Sequence, residues 1–380
     1  MQKLRVLHLG RFHREHGFGG IERHVTELLT ALAPDVAADN LVAADSLRGD
    51  HFHTGHYEVW RAPSFGMFAS TAVSPAMISW ARRLHSERKF DLVHLHFPDP
   101  LAQLVAQSLP RQIKRVVTWH SDIVRQGRLL KLYRPWMNHF LRHVDAVIAA
   151  TPAHFLGSTQ LCAVPEARRQ VIPYGLDFTR LSTNCLLERS REFRSKIPAD
   201  IPVIFAVGRH VYYKGFDDLL KALSLLPHAH LVLGGNGPLE GDLIRLALQL
   251  GLEKRVTFTG RLSDEDLATW YHACDVFCLP SREVAEAFGL VQLEAMACGK
   301  PVVCTQLDNG VNFVCQDGVT GLAAEPGNPL SLAKKLQQLL DNPDLRGRLG
   351  EAGRQRAETE FSRERMAERT LALYRTLVRS

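Results

Sequence analysis

At 380 residues the chain is too long for one ordinary hydrophobic core, so two or three domains are expected. Its 46% hydrophobic and 23% charged residues describe a soluble globular composition, and no run approaches the roughly 18 apolar residues of a membrane span. The net charge of +6 is modest and the seven cysteines contain no C-x-x-C pair, which argues against a disulfide scaffold or a structural cysteine–metal site and for a reduced cytoplasmic compartment.

The chain opens with LRVLHL (residues 4–9), too short an apolar run for a signal peptide and readable as a first strand. A Gly19–Gly20 turn leads into the amphipathic stretch IERHVTELLTALA. NLVAA, FDLVHLH, RVVTWH, DAVIAA and RQVIP follow, short apolar runs alternating with helix-length segments. That alternation predicts βα units around a largely parallel sheet, with His120 at the end of RVVTWH.

Residues 111–143 hold Arg111, Lys114, Arg115, Arg125, Arg128, Lys131, Arg134 and Arg142 against one acid, Asp122. Leu129, Leu130, Tyr133, Trp136, Met137, Phe140 and Leu141 are interleaved with them, predicting a basic amphipathic helix interrupted by Pro135. Such a helix suits an anionic bilayer or an anionic acceptor, and it also suits core packing beneath a cationic outer face.

Residues 1–180 read as one Rossmann-like domain, 181–200 as a polar linker and 201–361 as a second domain with the same grammar; a terminal helix at 362–380 packs back on the first. The cleft between the domains is the expected ligand site. In the second domain IPVIFAVG ends at Gly208, and Arg209 and Lys214 follow before the next helix. Gly208 and Gly215 permit a tight turn there, and two cations at a strand's carboxyl end can hold a diphosphate and stabilise it as a leaving group.

Further on, DVFCLP leads into EAFGLVQLEAMACGKPVV, read as strand, loop, helix, strand, with Glu286 and Glu294 bracketing the helix start. A rise of about 1.5 Å per residue places them roughly 12 Å apart. That span matches a nucleotide-sugar, with one carboxylate on hexose hydroxyls, the other on ribose hydroxyls, and helix-start N–H groups facing the diphosphate. Two solvated helix glutamates are the plainer alternative.

Neither GRFHREHGFGG nor GGNGPLEG carries the G-x-G-x-x-G dinucleotide fingerprint, and no G-x-x-x-x-G-K-[ST] loop is present. Asp217–Asp218 and Asp264–Glu265–Asp266 each begin a helical pattern, where acids favour the positive end of the dipole, so no metal and no cofactor is expected.

The pattern G-R-x-x-x-x-K-G at 208–215, followed about seventy residues later by E-x-x-x-x-x-x-x-E, resembles the retaining glycosyltransferases of family 4. The resemblance spans nearly the whole chain, through GGIE, TWHSD, IPYGLD, GGNGP and the terminal helix. It implies the α/β GT-B architecture, two doubly wound Rossmann-like domains facing a central cleft, a nucleotide-sugar donor, a lipid-linked or glycan acceptor, and neither a divalent cation nor nucleic acid. By the same resemblance Glu286 holds sugar hydroxyls, Glu294 holds the ribose, and the N–H groups of Phe288, Gly289, Leu290 and Val291 face the phosphates. Arg209 and Lys214 neutralise the departing diphosphate, the Gly19–Gly20 turn approaches it from the first domain, and His120 orients the sugar.

Tyr174 stands where asparagine is frequent in the family, and LDNGV (307–311) replaces a more glycine-rich loop. With TWHSD these variants resemble bacterial O-antigen and exopolysaccharide enzymes, which favours GDP-mannose over UDP-hexoses as donor, while the basic segment 111–143 raises the expectation of a peripheral place on the inner membrane face. Two rivals share the fold: a non-hydrolysing UDP-sugar epimerase, and an anionic-lipid or nucleic-acid binding protein motivated by the basic segment.

Overall fold

The computed structural model describes residues 3–10, 13, 20–68, 71–123, 127–182 and 184–379, apart from the side chains of residues 128 and 184. The chain forms two compact units, Met1–Leu176 with Arg363–Ser380, and Asp177–Ser362.

The first unit contains β1 (Leu4–Leu9), α1 (Gly20–Leu32), β2 (Val36–Ala43), β3 (Asp50–His53), β4 (Glu58–Ala62), β5 (Met67–Phe68) and β6 (Thr71–Ala72). It continues with α2 (Ala76–Arg88), β7 (Leu92–Phe97), α3 (Pro100–Gln107), β8 (Lys114–Trp119), α4 (Gly127–His143), β9 (Ala146–Ala149), α5 (Pro152–Gly157) and β10 (Arg169–Val171). The second unit contains α6 (Asn184–Ser195), β11 (Val203–Val207), α7 (Phe216–Ser224), β12 (His230–Gly234), α8 (Glu240–Gln249), β13 (Val256–Gly260) and α9 (Asp264–Ala273). After these come β14 (Val276–Leu279), α10 (Leu290–Ala297), β15 (Val302–Thr305), α11 (Gly310–Val314), β16 (Gly321–Ala324), α12 (Pro329–Leu340) and α13 (Pro343–Glu360). Finally α14 (Arg363–Arg379) returns to the first unit and packs on α1.

The first sheet runs β10-β9-β8-β7-β1-β2-β4-β3, parallel except for the antiparallel β3–β4 pair. Its central strands are buried on both faces, as the near-continuous apolar runs require. Leu7, Leu9, Val93, Leu95, Phe97, Val117 and Trp119 join the core under α2, α3 and α4, while Val6, Leu92 and Val116 join the core under α1 and α14. That second face also carries polar residues. The register pairs His8 with His94 and His96 with Thr118, and side chains two apart share a face, so His8, His94, His96 and Thr118 project together beneath α1 and α14.

The second sheet is wholly parallel, in the order β13-β12-β11-β14-β15-β16. Strand order reverses between β11 and β14, and the loops leaving their carboxyl ends meet there, where open α/β sheets bind ligands.

Two expectations need correction. Residues 181–200 are not a linker: Asn184–Ser195 is the helix α6, packed against α9 within the second unit, with Leu186 buried beside Leu181 and Ala268. Polar composition hid a helix that needs only a narrow apolar stripe. Helix α4 also continues through Pro135, burying Met137, Phe140 and Leu141 on one side.

Candidate functional site

At the switch point of the second sheet, Gly208 follows β11 and the chain turns back at Gly215, whose φ is 67°. A Cβ on Gly215 would sit 2.1 Å from the Pro280 carbonyl oxygen, so glycine alone lets this loop lie against the one leaving β14. The Arg282 N–H donates to the Tyr213 carbonyl at 2.8 Å and joins the loops again. Lys214, side chain 11% exposed, thereby reaches over Gly208 and places Nζ 2.5 Å from Oε2 of Glu286, itself 12% exposed.

Glu286 is fixed from three directions. The Ser281 hydroxyl donates to Oε2 at 3.1 Å, the Glu286 N–H donates to the Glu283 carbonyl at 3.1 Å, and the Asn309 amide donates to the Glu286 carbonyl at 2.8 Å. Three residues later Gly289, at φ 72°, precedes α10 with no side-chain cap among the described residues, and the Gln292 N–H of the first turn donates to the Gly289 carbonyl at 3.0 Å. Phe288 is buried at this turn, whereas Leu290 and Val291 are half-buried. Arg209 is exposed beside Gly208 and pairs with no acid among the described residues.

Glu294 differs from its expected role as an open cleft wall. It lies one turn into α10 and is fully buried, with Oε1 bonded to Arg180 and Oε2 accepting from the Tyr271 hydroxyl at 2.9 Å. The helix begins at residue 290, so Glu286 lies in the loop before it and Glu294 within it.

Of the residues expected from the first domain, Gly19 lies outside the described residues and Gly20 is the first residue of α1. His120 is buried at the end of β8, its N–H donating to the Phe97 carbonyl at 2.9 Å. Its Nδ1 lies 2.7 Å from the Tyr174 hydroxyl and its Nε2 3.1 Å from His96 Nδ1. Beyond these contacts, His96 Nε2 is 3.3 Å from His8 Nδ1, and the Tyr374 hydroxyl joins His8 Nε2 at 3.5 Å to His94 Nδ1 at 2.5 Å. His94 Nε2 ends the chain on Thr118 Oγ1 at 2.7 Å. One direction of donation satisfies every link, with each imidazole neutral, donating once and accepting once.

Burial accounts for that neutrality. Desolvation takes His8 and His24 down to about 3, the charge of His24 adding to the effect on His8, and holds His94, His96 and His120 well below the usual histidine range. The same burial raises the Tyr174 phenol.

Sequence reasoning missed Ser281, Asn309, Arg180 and Tyr271, which reach the glutamates only through the fold. It also missed His8, His24, His94 and His96. Alternation in LHL and HLHF was the available signal, because histidines two apart on a strand face one way.

Comparison with known proteins bears on the whole chain. Residues 18–180 match the family described as Glycosyltransferase Family 4, and residues 188–356 match Glycosyl transferases group 1. The chain is 32% identical to O-antigen chain mannosyltransferase C of Escherichia coli, covering 99% of this chain and 100% of that one. It is 33% identical to D-rhamnosyltransferase WbpZ of Pseudomonas aeruginosa over 91% of this chain and 89% of the relative. Among solved structures, sucrose-phosphate synthase from Thermosynechococcus elongatus superposes with a TM-score of 0.82 at 24% identity, covering 99% of each chain, a likeness of fold.

Proposed function

The chain belongs to the GT-B glycosyltransferases of group 1 and family 4, and on that premise we propose that it transfers mannose from GDP-mannose, with retention, to a lipid-linked or polysaccharide acceptor. The observation that carries this reading is the Lys214–Glu286 pair at the switch point of the second sheet, one loop away from the uncapped start of α10. Without a donor the two charges neutralise each other. A diphosphate would draw Lys214 and Arg209 to itself and free the Glu286 carboxylate for the hexose hydroxyls, while the N–H groups of α10 receive the phosphate oxygens.

The reaction breaks the bond between the anomeric carbon and the diphosphate and forms a bond from the acceptor oxygen on the same face, with the acceptor proton passing to the departing diphosphate. No protein nucleophile is required. His120, uncharged and held by Tyr174, is assigned to orient the sugar. Glu294 keeps its assignment to the ribose only through exchange, with the diol replacing Arg180. The donor site is proposed to work without a metal ion. Transfer activity in the relatives favours this reading over an epimerase or a non-catalytic binder.

We also propose peripheral contact with an anionic membrane through α4. Leu129, Leu132 and Trp136 are exposed along this helix, at spacings of three and four, beside exposed Lys131 and Arg134. Among the described residues no helix is long and apolar enough to cross a membrane.

The test pairs thermal stabilisation by GDP-mannose, UDP-glucose and UDP-galactose with NMR of the glycosylated product. GDP-mannose alone should stabilise, and the new linkage should keep the donor's anomeric configuration. Stabilisation by a UDP-hexose alone overturns the donor assignment, and an inverted linkage overturns the mechanism.

A further inference from the structure

Helix α1 places His24 against the face of the first sheet that carries the other buried histidines. The His24 ring lies 5.1 Å from that of His120 and 5.9 Å from that of His96, centroid to centroid, with both pairs edge to face. It is 5% exposed, and neither ring nitrogen has a hydrogen-bond partner among the described residues. Burying an imidazole with both nitrogens unpaired carries a desolvation cost. One nitrogen from each of His24, His96 and His120 falls within 4.8 Å of the others.

We propose that His24, His96 and His120 form a binding site for a borderline divalent transition ion, with zinc as its reference occupant. Two imidazoles on one tetrahedral zinc, at bonds of about 2.0–2.1 Å, hold their ligating nitrogens roughly 3.3 Å apart. The facing nitrogens of His96 and His120 are already 3.1 Å apart. For both to present lone pairs, each ring must carry its proton on the far nitrogen. An acceptor waits at each: Tyr174 oxygen for His120 Nδ1 at 2.7 Å and His8 Nδ1 for His96 Nε2 at 3.3 Å. That outer layer is what orients histidine ligands in zinc sites. Ion binding would give up one hydrogen bond between the two rings and satisfy His24.

The neighbouring trio of His8, His94 and His96 is the weaker alternative, because all three of its rings have both nitrogens engaged, whereas His24 brings two unengaged ones among the described residues. Three imidazoles and no carboxylate exclude preference for magnesium, calcium or manganese. The three histidines belong to the first unit, whereas Lys214 and Glu286 belong to the second. Occupancy would take the Nε2 lone pair of His120, so zinc should inhibit transfer; that consequence alone rests on the role proposed for His120.

The test uses untagged full-length protein stripped with chelator and titrated with Zn2+ and, separately, Co2+. The expected result is about one tightly held zinc per chain, a tetrahedral Co2+ absorption band, and roughly tenfold or greater weakening in His24→Leu. That variant breaks no hydrogen bond among the described residues, and circular dichroism verifies its fold. The Co2+ band in wild type reports the site even where the variant fails to fold. His139 and His143 lie one turn apart on α4 with ring centroids 4.5 Å apart and are the rival surface chelate. Binding lost in His139→Gln/His143→Gln but kept in His24→Leu overturns the proposal, as does wild-type protein that retains no zinc and gives no tetrahedral band. Zinc that binds at His24 without inhibiting transfer leaves the metal site standing and removes His120 from the sugar.

Discussion

Lys214 and Glu286 lie in different loops, those after β11 and β14, and their charged groups meet at 2.5 Å. The pairing is possible because Gly215 presses against the Pro280 carbonyl with no Cβ between them. A close pair of opposite charges with little exposure stays intact until a ligand offers each a better partner. That is what the proposed donor requires, being anionic at one end and hydroxylated at the other.

Glu286→Gln should lower kcat by about a hundredfold or more with a small change in donor KM, while Lys214→Met should damage both. Each single change strands one charge and should cost about 2 kcal/mol of stability, whereas Lys214→Met/Glu286→Gln should recover part of that loss. Steady-state kinetics and urea unfolding of the four proteins read this out. Full transfer by Glu286→Gln at saturating donor would remove its role in holding the sugar.

Glu294 yields a different prediction, because its carboxylate is fully buried against Tyr271 and Arg180. Arg180→Met should destabilise the second unit by on the order of 3 kcal/mol by removing the arginine from a fully buried carboxylate. Tyr271→Phe should cost about 2 kcal/mol, the worth of a hydrogen bond to a charged acceptor. Donor KM should rise in Glu294→Gln with kcat nearly kept. A Glu294→Gln protein with unchanged stability and unchanged KM would show that neither the buried pair nor the ribose exchange matters.

The architecture was legible because parallel strands buried on both faces write themselves as short apolar runs, and the helices between them keep their period. The site residues at the switch point were legible for a related reason: loops at strand ends carry the glycines and charges that strands cannot. What escaped was tertiary. Nothing in the spacing from Glu286 to Glu294 reveals that Arg180 and Tyr271 occupy the second carboxylate. His8, His24, His94, His96 and His120 look scattered in the sequence until strand register aligns three of them, a loop adds His120, and α1 lowers His24 onto the set. Helix α6 was hidden by its own polarity.

Leu132, 80% exposed between Lys131 and Arg134 on α4, tests the membrane contact. Leu132→Glu should weaken flotation with vesicles containing anionic phosphatidylglycerol several-fold by removing apolar insertion and adding repulsion. Its unfolding midpoint should be unchanged, since the residue leaves the core untouched. Equal flotation with purely zwitterionic vesicles, or none with either, would count against the assignment.

The buried histidines set the pH dependence of stability in chelator-treated protein. Above the unfolded value of 6.5 each ring is neutral in both states, so stability is flat there. Below it the unfolded chain takes up protons that His8 and His24 refuse until about 3, with His94, His96 and His120 shifted the same way. The unfolded state therefore binds more protons, and stability falls as pH drops, by about 1.4 kcal/mol per pH unit for each ring that remains neutral in the fold. His154, His210, His230 and His272 are lowered too and act with the same sign. Urea midpoints at pH 7.5, 6.5 and 5.5 should decline steeply over the last step, before the carboxylates titrate. His24→Leu should decline less, by about one proton's worth of slope. A midpoint that stays level or rises between pH 6.5 and 5.5 would mean that these rings accept protons in the folded protein, which would undo the neutral hydrogen-bonded chain on which the orientation of His120 depends.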